Sequence, residues 1–383
     1  MSLYLNNAAT TFPKPPEVVE AMTGALTAPP SNPFRSSSPC GKDILSLCRE
    51  NIGQLLGIAD TDRIFFAGGA TDALNRIFGG LSLDSLPVVI TQTEHNSVLR
   101  PLYNNAVTAP NVHVVPCNEY GYVAVQSVEA VLDKIPAAGG KPYAGLFVLN
   151  HCSNVTGAVQ DVYGIAEAVH RHGFILLLDV SQSAGCLPVT IDRWGVDIAA
   201  FTGHKGMFGP TGTGGYYVGR HIALRPVVYG GTGRDSSIIT YNDGDYEYEA
   251  GTQNIISVAG LNAGIGYVLA EGIAEIEKRE SGMMQYIYKV LSGCRDVVVY
   301  ADMCRPHGPL LSFNIKGLNP SDVGYILQNG YDVTVRTGLH CSPLIHDAMS
   351  TSPAGTVRVS VSCLTTDEDI ETFLGAIKEM LSS

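Results

Sequence analysis

Short apolar runs alternate with segments of helical periodicity between residues 64 and 202, and this alternation restricts the fold more than any other feature of the chain. Runs at 64–67, 88–91, 112–116, 144–150, 174–180 and 198–201 read as strands, with helix-like segments such as 72–78, 128–135 and 162–172 between them. Alternation of this kind predicts an α/β layer around a mostly parallel sheet. Upstream, residues 3–14 read as an extended arm ending among Pro13, Pro15 and Pro16, residues 17–26 as a helix and residues 29–41 as loop. A second helix follows where Ile44, Leu45, Cys48, Ile52, Leu55 and Leu56 recur at helical spacing. The tract 229–254 has little periodicity and many glycines, tyrosines and acids; a loop of that length in a compact chain is expected to be ordered and functional. Beyond it stand a helical pattern from 258 to about 291, strand-like pieces at 297–300, 310–314, 333–336 and 357–361, and a closing helix from Asp367. The expected organisation is an arm (1–16) packed with the small domain, a large domain (17–260) and a small α+β C-terminal domain (261–383).

Charge narrows the partners. The net charge of −12 argues against nucleic acid or an anionic membrane held by bulk electrostatics, while leaving room for a local anion site. The N-terminus has no basic stretch followed by an apolar core, and no apolar run approaches the roughly 20 residues that span a bilayer, so a cytoplasmic protein is expected. Nine cysteines stand scattered without a C-x-x-C pair, which points to neither a disulfide framework nor a metal site.

In an open α/β sheet, ligands gather at the carboxyl ends of the strands. Chemistry-bearing residues of this chain fall there repeatedly. After run 64–67 comes Gly68-Gly69-Ala70-Thr71, which suits a phosphate at a helix start; a helix cap by Thr71 is the competing reading. After run 88–91 stands Thr93-Glu94-His95-Asn96, whose imidazole either packs on a flat ring or bonds its own loop. Run 144–150 ends in His151-Cys152-Ser153-Asn154, and run 174–180 closes with Asp179 ahead of Gln182. A carboxylate at the end of an apolar strand asks for a cationic partner. Lys205 follows run 198–201, behind Thr202, Gly203 and His204 and ahead of a run of glycines. It is either a turn lysine or a nucleophile, and a nucleophile needs neighbours that lower its pKa, because only about one free lysine in two thousand is neutral at pH 7. An aldehyde-accepting lysine, a carboxylate, a phosphate cup, a ring-stacking imidazole and amide donors make the set that pyridoxal 5′-phosphate requires.

The stretches YLNNAATT from Tyr4, GGATDALN from Gly68, TEHNS from Thr93, HCSNVTG from His151, DVSQ from Asp179, TGHKGMFGPTG from Thr202, EAGTQN from Glu249, RTGLHC from Arg336 and TVRVS from Thr356 run nearly end to end. Together they resemble the class V aminotransferase branch of the fold type I pyridoxal-phosphate enzymes, and within it the cysteine desulfurase and selenocysteine lyase family. The resemblance implies a large domain with a mostly parallel seven-stranded sheet. It implies Lys205 as the lysine that bonds the cofactor's aldehyde and serves as base, Asp179 at the pyridinium nitrogen and His95 stacked on the ring. Asn154 and Gln182 would serve the phenolic oxygen. Ala70, Thr71, Thr202 and His204 would hold the phosphate, joined by Thr252 of the partner subunit in a homodimer with shared sites. Arg358, with Asn154 beside it, would bind the substrate carboxylate, and Cys341 would take sulfur from L-cysteine as a persulfide, releasing L-alanine; a sulfur-acceptor protein would follow. Arg336 and His340 stand close enough in sequence to favour the Cys341 thiolate. The other class V outcomes, selenocysteine lysis, transamination or β-elimination, would use Lys205 and Arg358 without Cys341. The short RTGLHCSPL form resembles the branch with a structured cysteine loop, which implies slow sulfur transfer without a partner. Three stretches depart from the family pattern: Asn6 where aspartate is common, Ser36–Gly41, and Cys363-Leu364-Thr365-Thr366.

Overall fold

The computed structural model describes residues 3–28, 43–81, 83, 86–105, 109–136, 143–231, 237, 239, 240 and 248–382. The chain opens with β1 (Leu3–Tyr4), α1 (Pro16–Thr27) and α2 (Ile44–Leu56), then β2 (Ile64–Ala67), α3 (Ala70–Gly80), β3 (Val88–Thr91), α4 (Asn96–Tyr103), β4 (Val112–Val115) and α5 (Val125–Leu132). It continues through β5 (Gly145–Asn150), α6 (Val162–Arg171), β6 (Phe174–Asp179), α7 (Ile191–Trp194), β7 (Ile198–Thr202) and β8 (Gly214–Val218). The last third holds α8 (Ile255–Glu271), α9 (Ile273–Ser292), β9 (Val297–Val299), β10 (Leu310–Ile315), α10 (Pro320–Tyr331), β11 (Val333–Thr334), β12 (Arg336–Gly338), α11 (Ile345–Ala348), β13 (Thr356–Ser360) and α12 (Asp367–Ser382). Helix starts follow side-chain chemistry: Asp43 and Asp161 accept from Ser46 N and Gly164 N and so cap α2 and α6.

The six apolar runs of the first half are strands of one seven-stranded sheet, in the order β2-β8-β7-β6-β5-β3-β4. Strands β7, β6, β5, β3 and β4 run parallel, and β8 lies antiparallel to both β7 and β2. Both faces are covered, so the central strands are apolar throughout. Phe147, Leu149, Leu176, Leu178, Ala199 and Phe201 enter one core with residues of α2, α6 and α8, while Leu146, Val148, Leu177, Ile198 and Ala200 enter another with residues of α3 and α4. Strand β8 lies in the glycine run that sequence periodicity does not resolve as a strand. Its glycines answer to crowding: a Cβ on Gly214 would lie 2.6 Å from Gly69 Cα, at the turn that opens α3.

A separate antiparallel sheet, β12-β13-β10-β9, belongs to the last third, and β1 from the N-terminus pairs parallel with β11 beside it. One expectation is corrected here. The single helical pattern from 258 to about 291 is two helices, broken at Gly272 (φ 83°) with an 81° bend, because a left-handed residue cannot continue a helix. The domain boundary expected at 260/261 falls inside α8, which packs against α1 and α2. The middle of tract 229–254 and the Ser36–Gly41 stretch lie outside the described residues. Among the described residues no single helix is long and apolar enough to cross a membrane.

Candidate active site

The ladder sets the site's floor. Asn150 at the end of β5 pairs with Asp179 at the end of β6, and Asp179 pairs with Ala200 of β7, so three strands deliver polar residues to one edge. Above that edge lies a cavity of about 290 Å³. Ala70, Thr71, His95, Asn154, Asp179, Gln182, Thr202, His204, Lys205 and Arg358 all line it, so widely separated motifs converge as the sequence suggests. Thr252 and Cys341 are not among the lining residues; Thr252 is exposed.

One end of the cavity is built for an anion. Helix α3 starts at Ala70 behind Gly69 (φ 135°), with no side chain capping its first turn, so the capping reading of Thr71 does not hold. The first turn of α3 lines the same cavity as Thr202 and His204, whose Oγ1 and Nδ1 are buried without a hydrogen-bond partner among the described residues. Burial, then the charges of Lys205 and Lys14, push the His204 pKa down to about 4, leaving a neutral ring. Unpaired hydroxyl and imidazole groups beside a helix N-terminus fit a phosphate.

Lys205 is half-buried in the cavity wall, and desolvation lowers its pKa to about 8; Asp179 pulls the other way, and Arg358 and Arg336 add to the lowering. No ion pair joins Lys205 to Asp179 among the described residues, so the cationic partner expected for Asp179 acts across the cavity and not by contact. Asp179 Oδ1 accepts from Ser181 N at 2.9 Å. His95 Nδ1 accepts from Ser97 N at 3.0 Å, which leaves its proton on Nε2, and burial followed by the Lys205 charge holds its pKa near 3. A ring so fixed and neutral packs readily on a flat cofactor. Glu94, quoted above without a role, is a residue the sequence reading missed. It accepts from Thr91 Oγ1 (2.7 Å) and Asn150 N (2.9 Å), and burial lifts its pKa to about 8, so it remains a carboxylic acid beneath Asp179 at neutral pH. An acid three residues past an apolar strand was the signal for it.

The opposite wall comes from the last third of the chain. Arg358, 1% exposed, donates from Nη1 to Asn154 O (2.7 Å) and from Nη2 to Asn6 Oδ1 (3.2 Å), and its Nε has no partner among the described residues. Burial and the neighbouring Arg336 lower its pKa to about 9. Arg336 is its cross-strand neighbour and donates from Nη2 to Cys341 Sγ at 3.0 Å. His340 and Cys341 are consecutive left-handed residues (φ 50° and 63°), a backbone conformation that side-chain-bearing residues adopt only under tertiary constraint. The constraint is visible: Asn154 Nδ2 donates to His340 O (2.6 Å), Ser342 Oγ to Asn154 Oδ1 (2.7 Å) and Asn96 N to Cys341 O (2.7 Å). Asn154 thus spends most of its amide on this turn, keeping one hydrogen for the cavity, and Gln182, which donates to Ala8 O (2.9 Å), keeps one as well. His340 lends no charge to Cys341, because burial and two arginines hold its pKa well below the usual histidine value. Of the departures, Asn6 meets Arg358, whereas Cys363, Leu364, Thr365 and Thr366 do not line the cavity.

The N-terminal arm closes the remaining side. Thr10 Oγ1, Thr11 N, Thr11 Oγ1 and Lys14 Nζ all reach His204 O, at 3.0, 3.1, 3.2 and 2.9 Å, and pin the peptide ahead of Lys205.

A low-pKa lysine and a carboxylate at the carboxyl edge of a doubly covered sheet, with an anion cradle at a helix start, define a pyridoxal-phosphate enzyme of the α/β kind; Thr202 Oγ1 and His204 Nδ1, unpartnered among the described residues, are atoms the cofactor's phosphate would satisfy. Comparison with known proteins agrees. A family model described as aminotransferase class-V matches residues 3–373, and the chain belongs to that family, whose members depend on pyridoxal phosphate. A probable cysteine desulfurase of Methanothermobacter thermautotrophicus is 33% identical across 99% of this chain and 94% of its own length. One from Halalkalibacterium halodurans is 31% identical, across 96% of this chain and 90% of its own. Among solved structures, the apo cysteine desulfurase of Thermococcus onnurineus NA1 superposes with a TM-score of 0.86 at 27% identity, covering all of this chain and 95% of that one.

Proposed function

We propose that this chain is a cysteine desulfurase that converts L-cysteine to L-alanine and leaves the sulfur as a persulfide on Cys341. The observation that carries the reading is the Cys341 turn: a strained thiol-bearing residue, tied to Arg336, which lines the same cavity as Lys205. The names of the relatives support it. Pyridoxal phosphate, when bound, supplies an aldehyde for the substrate's amine and a ring that draws electron density from Cα. Thr202, His204 and the first turn of α3 would hold its phosphate, Asp179 its pyridine nitrogen and His95 its ring face, with the spare hydrogens of Asn154 and Gln182 for the phenolic oxygen. Thr252 of the partner subunit would complete the phosphate site in a homodimer. Lys205, with a pKa lowered to about 8, would hold the cofactor by its aldehyde and, once the substrate's amine had displaced it, would take the α-proton at the freed Nζ. Arg358 presents its unspent N–H groups, Nε included, to the substrate carboxylate. Cys341 Sγ bonds the substrate sulfur as the Cβ–S bond breaks; the electron pair stays on carbon, where a proton completes L-alanine. A sulfur-acceptor protein would then collect the persulfide. The domain division is part of this proposal, with the boundary better placed at Gly272, where α8 ends.

The test is incubation of wild type and Cys341→Ala with L-cysteine, measuring alanine and sulfide together. Alanine from the wild type, at least about a hundredfold less in the variant, is expected for a nucleophile whose loss removes the step. Pyruvate and ammonia, or an unimpaired variant, would assign the chain to another class V reaction.

A further inference from the structure

His340 has a wiring that the proposed reaction does not use. Its Nε2 lies 2.9 Å from Thr356 Oγ1, Thr356 Oγ1 donates to Ser312 Oγ at 3.0 Å, and Ser312 Oγ donates to Val155 O at 2.6 Å. The chain of bonds has only one consistent direction. A carbonyl only accepts, so Ser312 spends its proton on Val155; Thr356 must then donate to Ser312, and Nε2 must donate to Thr356. The proton of His340 is therefore held on Nε2, and Nδ1 carries a lone pair. That Nδ1 is buried with no partner among the described residues, the ring is 2% exposed, and His340 lines the cavity beside Arg336 and Arg358. An unpaired acceptor buried at a ligand cavity is costly unless a ligand supplies the donor.

Once an amino acid is seated as proposed above, its carboxylate faces arginine and its amine faces the cofactor. The only donor left on cysteine is the thiol. We propose that His340 Nδ1 accepts a hydrogen bond from the side-chain S–H of the substrate, making His340 a specificity-determining residue, and that Thr356 and Ser312 are positioning residues that hold its tautomer. This rests on the amino-acid-substrate reading. It adds that the pocket selects a three-carbon amino acid bearing a protonated donor at Cβ over one of the same size that has none. The wall holds two imidazoles of the same tautomer but opposite use: His95 spends Nδ1 on the Ser97 backbone, whereas His340 leaves Nδ1 for the ligand.

Two unreactive probes separate the idea from catalysis. L-serine carries an O–H donor at the position of the thiol, and L-alanine carries none; binding of each is followed by the shift of the holoenzyme's cofactor absorbance. The wild type is expected to hold L-serine about two- to tenfold more tightly than L-alanine, the size of one neutral hydrogen bond. His340→Phe should bring the ratio to one with the cofactor band intact, and Thr356→Val, which frees the ring to change tautomer, should lower it part of the way. An unchanged ratio in His340→Phe overturns the proposal; if that variant does not fold, an unchanged ratio in Thr356→Val does so. Should neither amino acid perturb the cofactor of the wild type, the amino-acid-substrate reading fails and this proposal with it, whereas binding of both with equal affinity rejects His340 alone.

Discussion

The strand-end half of the cavity and the turn at residues 340–342, whose His340 lines the same space, are held in different ways. Asn150, Asp179 and Thr202 sit on the last residues of paired strands, and the ladder would keep them there with no help from a ligand. The Cys341 turn has no ladder. Two consecutive left-handed residues, each costing on the order of 1–3 kcal/mol, persist because Asn154 and Ser342 bind across gaps of 186 and 188 residues. The half proposed to hold the cofactor is therefore rigid by secondary structure, while the half proposed to carry sulfur is rigid only by borrowed hydrogen bonds.

Removing Lys205 should give the largest effect and sharpen this division. Lys205→Ala is expected to lower alanine formation from cysteine by at least about a thousandfold, as loss of a nucleophile and base does. Amide exchange at Cys341 should stay as slow as in the wild type; faster exchange there would break the comparison by coupling the halves.

Next in size is the response to pH. With its pKa near 8, Lys205 in the cofactor-free protein gains neutral amine about tenfold per pH unit below that value. Cofactor uptake, followed by absorbance in a stopped-flow instrument, should therefore quicken about fiftyfold from pH 6 to pH 8 and level off above about pH 9; a flat profile would contradict it. The same shift has a stability consequence. Because the folded value lies below that of free lysine, Lys205 costs stability at every pH below about 8, and the cost fades as pH rises toward 10.5. Lys205→Met should accordingly melt higher than wild type at pH 7, both without cofactor, with the gap closing at alkaline pH.

Arg358→Lys probes the wall between the halves. Lysine keeps a charge but loses the fork, so KM for cysteine should rise about tenfold or more with a smaller change in kcat. The smallest effect is expected from Ser342→Ala, which deletes one neutral hydrogen bond of the turn, about 1 kcal/mol, and should speed exchange of the Cys341 amide about fivefold while leaving that of Asp179 untouched.

The same contrast explains what the sequence discloses. Strands at 64–67 and 88–91 match β2 and β3 residue for residue, because doubly buried strands must be apolar runs and runs are visible. Lys205, Asp179 and His95 are legible since each follows such a run closely. Strand β8 is not, because its glycines answer to the backbone of Gly69 and not to a hydrophobic pattern. The break at Gly272 is missed because apolar periodicity continues on both sides of it. Nothing local announces that Asn154 is spent on the 340–342 turn or that Thr356 directs a histidine proton; those are contacts between distant segments. The role of Asn6 is hidden for the same reason, since its partner Arg358 lies 352 positions away.

That last separation governs the order in which the molecule can be finished. Asn6 leaves the ribosome 352 residues ahead of its partner Arg358, and Leu3 likewise precedes by far the Val333 that it pairs with. A nascent chain can complete the seven-stranded sheet once β8 has emerged, yet the start of its arm, from Leu3 to Asn6, has no partners until β11 and β13 follow. A chain truncated before β13 would keep the sheet and its lysine but lack the Arg358 guanidinium, so the carboxylate-binding wall of this protein comes into being only after the sheet it faces.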